Sequence, residues 1–139
     1  MMELNITIIG YTLILLAVIH VIFPSYFDWK KELSGLSLIN RQMMVVHTFF
    51  IGLTVMLMGI FCVTCHHDII HTALGHNVAL GLSIFWGIRW VFQFFVYSSS
   101  LWKGKLKETL VHIFFSILWT YYTVVFFLVY VSKQGVLVD

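Results

Sequence analysis

The sequence predicts an all-α membrane protein: four transmembrane helices in an up-down bundle, with a short interfacial amphipathic helix between the first two. Three observations predict it. Of the 139 residues, 60% are hydrophobic and only 10% charged, with mean hydropathy +0.96, whereas a soluble domain carries roughly a quarter charged residues. Four apolar runs are each long enough to cross ~30 Å of hydrocarbon, which takes about 20 residues. Lysine and arginine gather in alternate connections, as the positive-inside rule expects. The net charge of +2 comes without a basic arm or patch, which argues against a nucleic-acid partner. Two cysteines make no disulfide framework. One domain covers residues 1–139.

The first span is placed at residues 4–23, with Pro24 expected to end it. It lacks a basic leader and a small-residue cleavage site, so it reads as retained. Residues 24–42 form the interfacial connection. Trp29, Leu33 and Leu36 recur there at helical spacing, with Lys30, Lys31 and Glu32 off that face. The second span covers 43–64, an outward His-rich loop 65–72, the third span 73–97, a further connection 98–108 and the fourth span 109–131. Lys30, Lys31 and Arg41 lie in the first connection, Lys103, Lys105 and Lys107 in the third, and none in 65–72. The first and third connections are therefore expected on the cytoplasmic side of a bacterial inner membrane, with both termini outward. Lys133 runs against this pattern.

The third span carries two stripes. Gly75, Ala79, Ser83 and Gly87 repeat every fourth residue, a spacing that lets helices approach closely. Arg89, Gln93 and Tyr97 form the other, expected on roughly the opposite side. An arginine in hydrocarbon is costly unless it has a partner or faces a cavity.

Three histidines share this problem. His20, His47 and His112 each fall about 5–7 Å inside the expected cytoplasmic boundary at ~1.5 Å per residue. Gln93 lies at the same depth and Arg89 one turn deeper. On the fourth span Glu108, His112, Ser116, Thr120 and Thr123 make a stripe expected to point inward. On the second, His47, Ile51, Thr54 and Met58 share a face. Neutral imidazole is the metal-binding form. Two such histidines could clamp a haem b whose propionates Arg89 and nearby lysines hold. Three could bind a transition metal. With Arg89 and Gln93 they could hold a quinone or an anionic lipid. The expected function is an intramembrane His/Arg site for redox chemistry on such a cofactor. The alternative is an accessory subunit or lipid-binding scaffold, in which these groups hydrogen-bond one another. Enzymatic activity is left open. The expected partners are the lipid bilayer and a second copy or other membrane subunits.

The outward loop offers two further sites. Cys62, Cys65 and His66 match the C-x-x-C-H pattern of covalent haem attachment, or serve as redox thiols. A helix C-terminus, however, disfavours the thiolate. His67, Asp68 and His71 have the spacing of metal ligands. The plainer expectation for this stretch is a solvated polar loop. Most of the aromatic residues are expected to face lipid, while Trp86, Trp90 and Trp119 lie deep enough to line a pocket. In size and layout alone the chain is similar to small four-helix haem proteins, such as the membrane protoporphyrinogen oxidases, and to small quinone-linked subunits. No residue role follows from that likeness.

Overall fold

A computed structural model of the chain describes residues 1–132. These residues form helices and no strand. The helices are α1 (Met2–Tyr26), α2 (Trp29–Glu32), α3 (Leu38–Thr64), α4 (His66–His71), α5 (Ala73–Phe95) and α6 (Leu106–Ser132), with a 3₁₀ turn at Ser99–Leu101. Four of them, α1, α3, α5 and α6, are long and apolar enough to cross a membrane. Large apolar side chains such as Leu15, Val21, Phe49 and Phe95 are exposed along them, as lipid-facing positions would be. The chain divides into two compact units. One is Leu4–His66; the other joins Met1–Glu3 to the residues from His67 onward. Lys133 lies outside the described residues.

The first unit is a hairpin of α1 and α3 built on glycines. A Cβ at Gly10 would lie 2.6 Å from Val63 Cγ2 and 2.9 Å from the Gly59 carbonyl oxygen, and one at Gly59 would lie 2.8 Å from the Gly10 carbonyl oxygen. Gly52 faces His20 Cβ at 3.2 Å on the same construction. Residue numbers rise on one helix as they fall on the other, so the pair is antiparallel. Small residues allow this approach, which gains dispersion contacts along both backbones. The buried face of α3 is Gly52, Val55, Gly59 and Cys62. The buried residues of α1 are Ile6, Ile9, Gly10, Leu13, Leu16 and Ala17, and Gly10 and Ala17 among them approach the glycines of α3.

Two expectations about the first connection change. Pro24 lies inside α1 rather than ending it. A proline forfeits one backbone bond, but the next turn closes with Phe27 N–H donating to the Phe23 carbonyl at 3.0 Å. The amphipathic helix shrinks to the single turn Trp29–Glu32. Ser34 and Gly35 follow it, and the Ser34 hydroxyl donates to the Lys31 carbonyl at 2.6 Å. Serine competes with the helix ladder in this way and glycine costs about 1 kcal/mol in a helix, so Leu36 falls outside the turn. Helix α3 then starts at Leu38, well before the apolar run.

The second unit is the hairpin of α5 and α6, with α4 folded against the start of α5. The stretch read as a solvated loop is helical from His66 to His71, with Ile69 fully buried. A Cβ at Gly75 would collide with the Asp68 carbonyl oxygen and Ile69 Cα. Thr72 caps α5 by accepting from Gly75 N–H at 2.9 Å. His76 Nε2 donates to the Ile70 carbonyl at 2.7 Å. Between α5 and α6, the Ser83 hydroxyl donates to the Thr123 carbonyl at 3.0 Å, and Trp86 stacks on Trp119 with ring centroids 4.9 Å apart. Gly104, at φ 80°, turns the chain into α6.

Gly59→Leu should separate α1 from α3 and cost about 1–3 kcal/mol or more, as overpacking does. Gly81→Ala, with open space around its Cβ, should stay within ~0.5 kcal/mol. Unfolding of detergent-solubilised protein followed by circular dichroism checks both. Equal stability of the two variants would refute the glycine crossing.

Candidate functional site

Three of the expected site residues meet in the α5–α6 hairpin. Arg89 Nη1 donates to Gln93 Oε1 at 3.3 Å, and Gln93 Nε2 lies 2.7 Å from His112 Nδ1. The direction of every bond follows from Arg89. A guanidinium has donors only, so Gln93 turns its oxygen toward Arg89 and its NH2 toward His112. His112 Nδ1 is therefore the acceptor, and the neutral ring carries its proton on Nε2. Gln93 is 7% exposed, so neither end of its amide could be left unmade cheaply. His112 is also stacked on Trp102, with centroids 3.9 Å apart and planes 10° from parallel. In this tautomer its free nitrogen presents an N–H, which suits a carbonyl or an anion rather than a metal.

Arg89 faces aromatic rings. Its guanidinium carbon lies 5.3 Å from the Trp119 ring centroid and 5.5 Å from that of Tyr97. Both are within cation–π reach. Among the described residues no carboxylate forms an ion pair with it. Glu108, expected near His112, is exposed.

The stripes of α5 do not lie on opposite sides. Gly75, Ala79, Ser83 and Gln93 are all buried. A four-residue step overshoots a helical turn by about 40°, so the small-residue stripe drifts round the helix. Ala79 and Gln93 end within ~40° of one another, and both stripes serve α6 and α4. On α6 the buried face is Trp119, Tyr122, Val125, Phe126 and Val129, beside the expected polar stripe rather than on it. The hydroxyls of that stripe bond their own helix. Ser116 donates to the His112 carbonyl at 2.7 Å, Thr120 to Ser116 at 2.8 Å and Thr123 to Trp119 at 2.8 Å. Trp86 and Trp119 are buried. Trp90 lines a groove of about 470 Å³ with Phe94, Ser116, Ile117 and Thr120. Phe94 also packs edge-on to His112, 5.7 Å between centroids, so one ring touches both the groove and the imidazole.

His20 and His47 belong to the α1–α3 hairpin. His20 Nδ1 lies 2.8 Å from the Leu16 carbonyl oxygen and His47 Nδ1 2.7 Å from that of Met43. A carbonyl only accepts, so Nδ1 carries a proton in both rings, and the neutral form of each ring has its lone pair on Nε2. That is the arrangement of a ligating histidine. The hairpin does not bring the two together. His20 sits against Gly52. His47 is five residues before Gly52, about 140° round the helix, and is exposed together with Ile51 and Thr54. His20 lines an apolar groove of about 350 Å³ with Ala17, Val21, Thr48, Phe49 and Leu53. Pro24 and Val45 continue it into a polar recess lined by Asp28, Trp29, Lys30 and Arg41.

Around the turn between α3 and α5, Cys62 is buried and Cys65 partly exposed, both as thiols. His66 Nδ1 donates to the Val63 carbonyl at 3.0 Å. The His67 and His71 rings lie 4.5 Å apart. The third group beside them is Glu3, whose Oε1 is 3.5 Å from His71 Nε2. Asp68 lies 3.9 Å from His67 but outside the convergent set. Sequence reasoning missed Glu3 and the Trp102 stack. Trp102 had a signal, an aromatic within one connection of His112. Glu3 had none, because the chain brings it from two spans away.

Imidazole ¹⁵N NMR of the detergent-solubilised protein should show His112 protonated at Nε2. Arg89→Leu should release the amide and let the two tautomers mix. An Nδ1–H signal for His112 in the wild type would refute the directed chain.

Comparison with protein-family models, with curated proteins and with solved structures finds no match for this chain.

Proposed function

We propose that this multi-pass membrane protein binds an amphiphilic redox cofactor of the quinone class at the cytoplasmic end of its spans. The observation that carries the reading is the directed chain Arg89–Gln93–His112. It fixes His112 as an N–H donor, the partner a quinone carbonyl takes. The adjoining groove, bounded by Trp90, Phe94 and Ile117, is apolar enough for a ring or prenyl tail. Trp102 on the face of His112 limits water around the donor. The cytoplasmic assignment rests on the basic residues of the first and third connections, and the four spans form an up-down bundle in this reading.

A second reading is favoured by a specific observation on the other hairpin. His20 holds its Nε2 lone pair beside an apolar groove that runs toward Lys30 and Arg41. That combination fits a haem b or another anionic amphiphile, with the ring held by His20 and acidic groups by the basic recess. A scaffold role, in which the polar groups only fix packing, is the reading both must displace.

A short-chain quinone should quench tryptophan fluorescence of the purified protein saturably, with Trp102 as the nearest reporter. Gln93→Leu should weaken that binding by about tenfold, equivalent to ~1.4 kcal/mol. Binding unchanged in Gln93→Leu, with only a stability loss of about 0.6–2 kcal/mol, would favour the scaffold. A visible absorption spectrum before and after dithionite separates the second reading: a Soret band lost in His20→Ala would move the cofactor to the α1–α3 groove.

A further inference from the structure

The turn between α3 and α5 holds a set of ligands independent of the site above. Glu3, His67 and His71 each place one donor atom within 4.8 Å of the other two. His67 and His71 are one turn apart on α4, so their side chains leave the helix in the same direction. The platform under them is fixed. Ile69 is fully buried between them, Gly75 lets α5 close on the backbone of Asp68 and Ile69, and His76 bonds the Ile70 carbonyl. Glu3 reaches the same point from the start of α1 and is grouped with this unit rather than with the rest of its helix.

We infer that Glu3, His67 and His71 form a binding site for a first-row divalent cation, with Zn²⁺ the preferred ion. Two imidazoles and a carboxylate are a recurrent zinc donor set. Bonds of about 2.0–2.2 Å in tetrahedral geometry place ligand atoms ~3.3–3.5 Å apart. The present spacing needs a contraction of ~1.5 Å at most, within the rotamer freedom of three exposed side chains. Water fills the fourth position. Asp68 lies outside the set and is left as a partner to His67. Zinc at this point ties the start of the chain to α4, which two exposed imidazoles and one carboxylate do only weakly without it.

Zinc chloride titrated by calorimetry into the chelator-stripped full chain in detergent tests the site. One equivalent should bind, with proton release as ligands deprotonate. Partners one shell out from a metal are worth about 10- to 100-fold in affinity, so Glu3→Gln, His67→Ala and His71→Ala should each lose at least tenfold. Asp68→Asn should stay within ~3-fold. Thermal unfolding of the metal-free variants should match wild type, since all three side chains are exposed. Absence of saturable binding would overturn the proposal. So would affinity retained in Glu3→Gln but lost in Asp68→Asn. Several equivalents bound equally by wild type and a His67→Ala/His71→Ala double variant would mark adventitious binding only.

Discussion

Hydrocarbon offers no hydrogen-bond partner, and the polar atoms of these spans are arranged around that constraint, with His76 Nδ1 and the indole nitrogens of Trp86 and Trp119 the buried side-chain atoms left without a partner among the described residues. The backbone meets it by being helical. Side-chain hydroxyls meet it by folding back on the same backbone: Thr12, Thr54, Thr64, Ser116, Thr120 and Thr123 all donate to carbonyls three or four residues earlier. Arg89 cannot do so, because a guanidinium carries more donors than one turn of helix can absorb. It is accommodated by the Gln93 oxygen and by the faces of Trp119 and Tyr97. Gln93 in turn needs an acceptor for its NH2, and His112 is that acceptor. The polarity of His112 is thus a consequence of the charge on Arg89.

The two hairpins meet the packing problem differently. In α1–α3 the backbones themselves touch, at Gly10 and Gly59, and there is little room for chemistry at the crossing. In α5–α6 the interface carries the stacked Trp86 and Trp119 with Tyr122 edge-on to Trp86, and the Ser83 hydroxyl reaches the Thr123 carbonyl across it. Aromatic packing of that kind supplies area and edge-to-face contacts. The Arg–Gln–His chain runs across the same pair of helices. Glycine-built contact stabilises through proximity; aromatic contact does so through area, and accommodates polar groups within it.

Much of this was legible in the sequence for a physical reason. Apolar runs of spanning length have few other uses, so the four long helices were readable from composition alone. Arg89, Gln93 and His112 stood out because a polar residue inside such a run needs an explanation, and their shared depth suggested a common one. Helix ends were less legible: Pro24 and the Ser34–Gly35 pair act through single local bonds that compete closely with helix continuation. Facing was least legible. His47 shares its residue type and depth with His20, yet sits about 140° from the α1-facing side of α3, because the glycines rather than the histidine decide which side packs. The drift of a four-residue stripe likewise brought together two faces of α5 that simple counting set apart.

The contact between Glu3 and α4 sets the order of chain synthesis against the order of docking. The ribosome delivers Glu3 ahead of both hairpins, but His71 emerges only after α1 and α3 have both been made. Through that interval the α1–α3 hairpin already has its own glycine crossing and can close. The start of α1, in contrast, has nothing on α4 to meet. Its final position is fixed late, from the opposite half of the chain. An extension fused ahead of Met1 would therefore sit beside the His67–His71 turn, and its effects would appear there rather than in the hairpin to which it is joined.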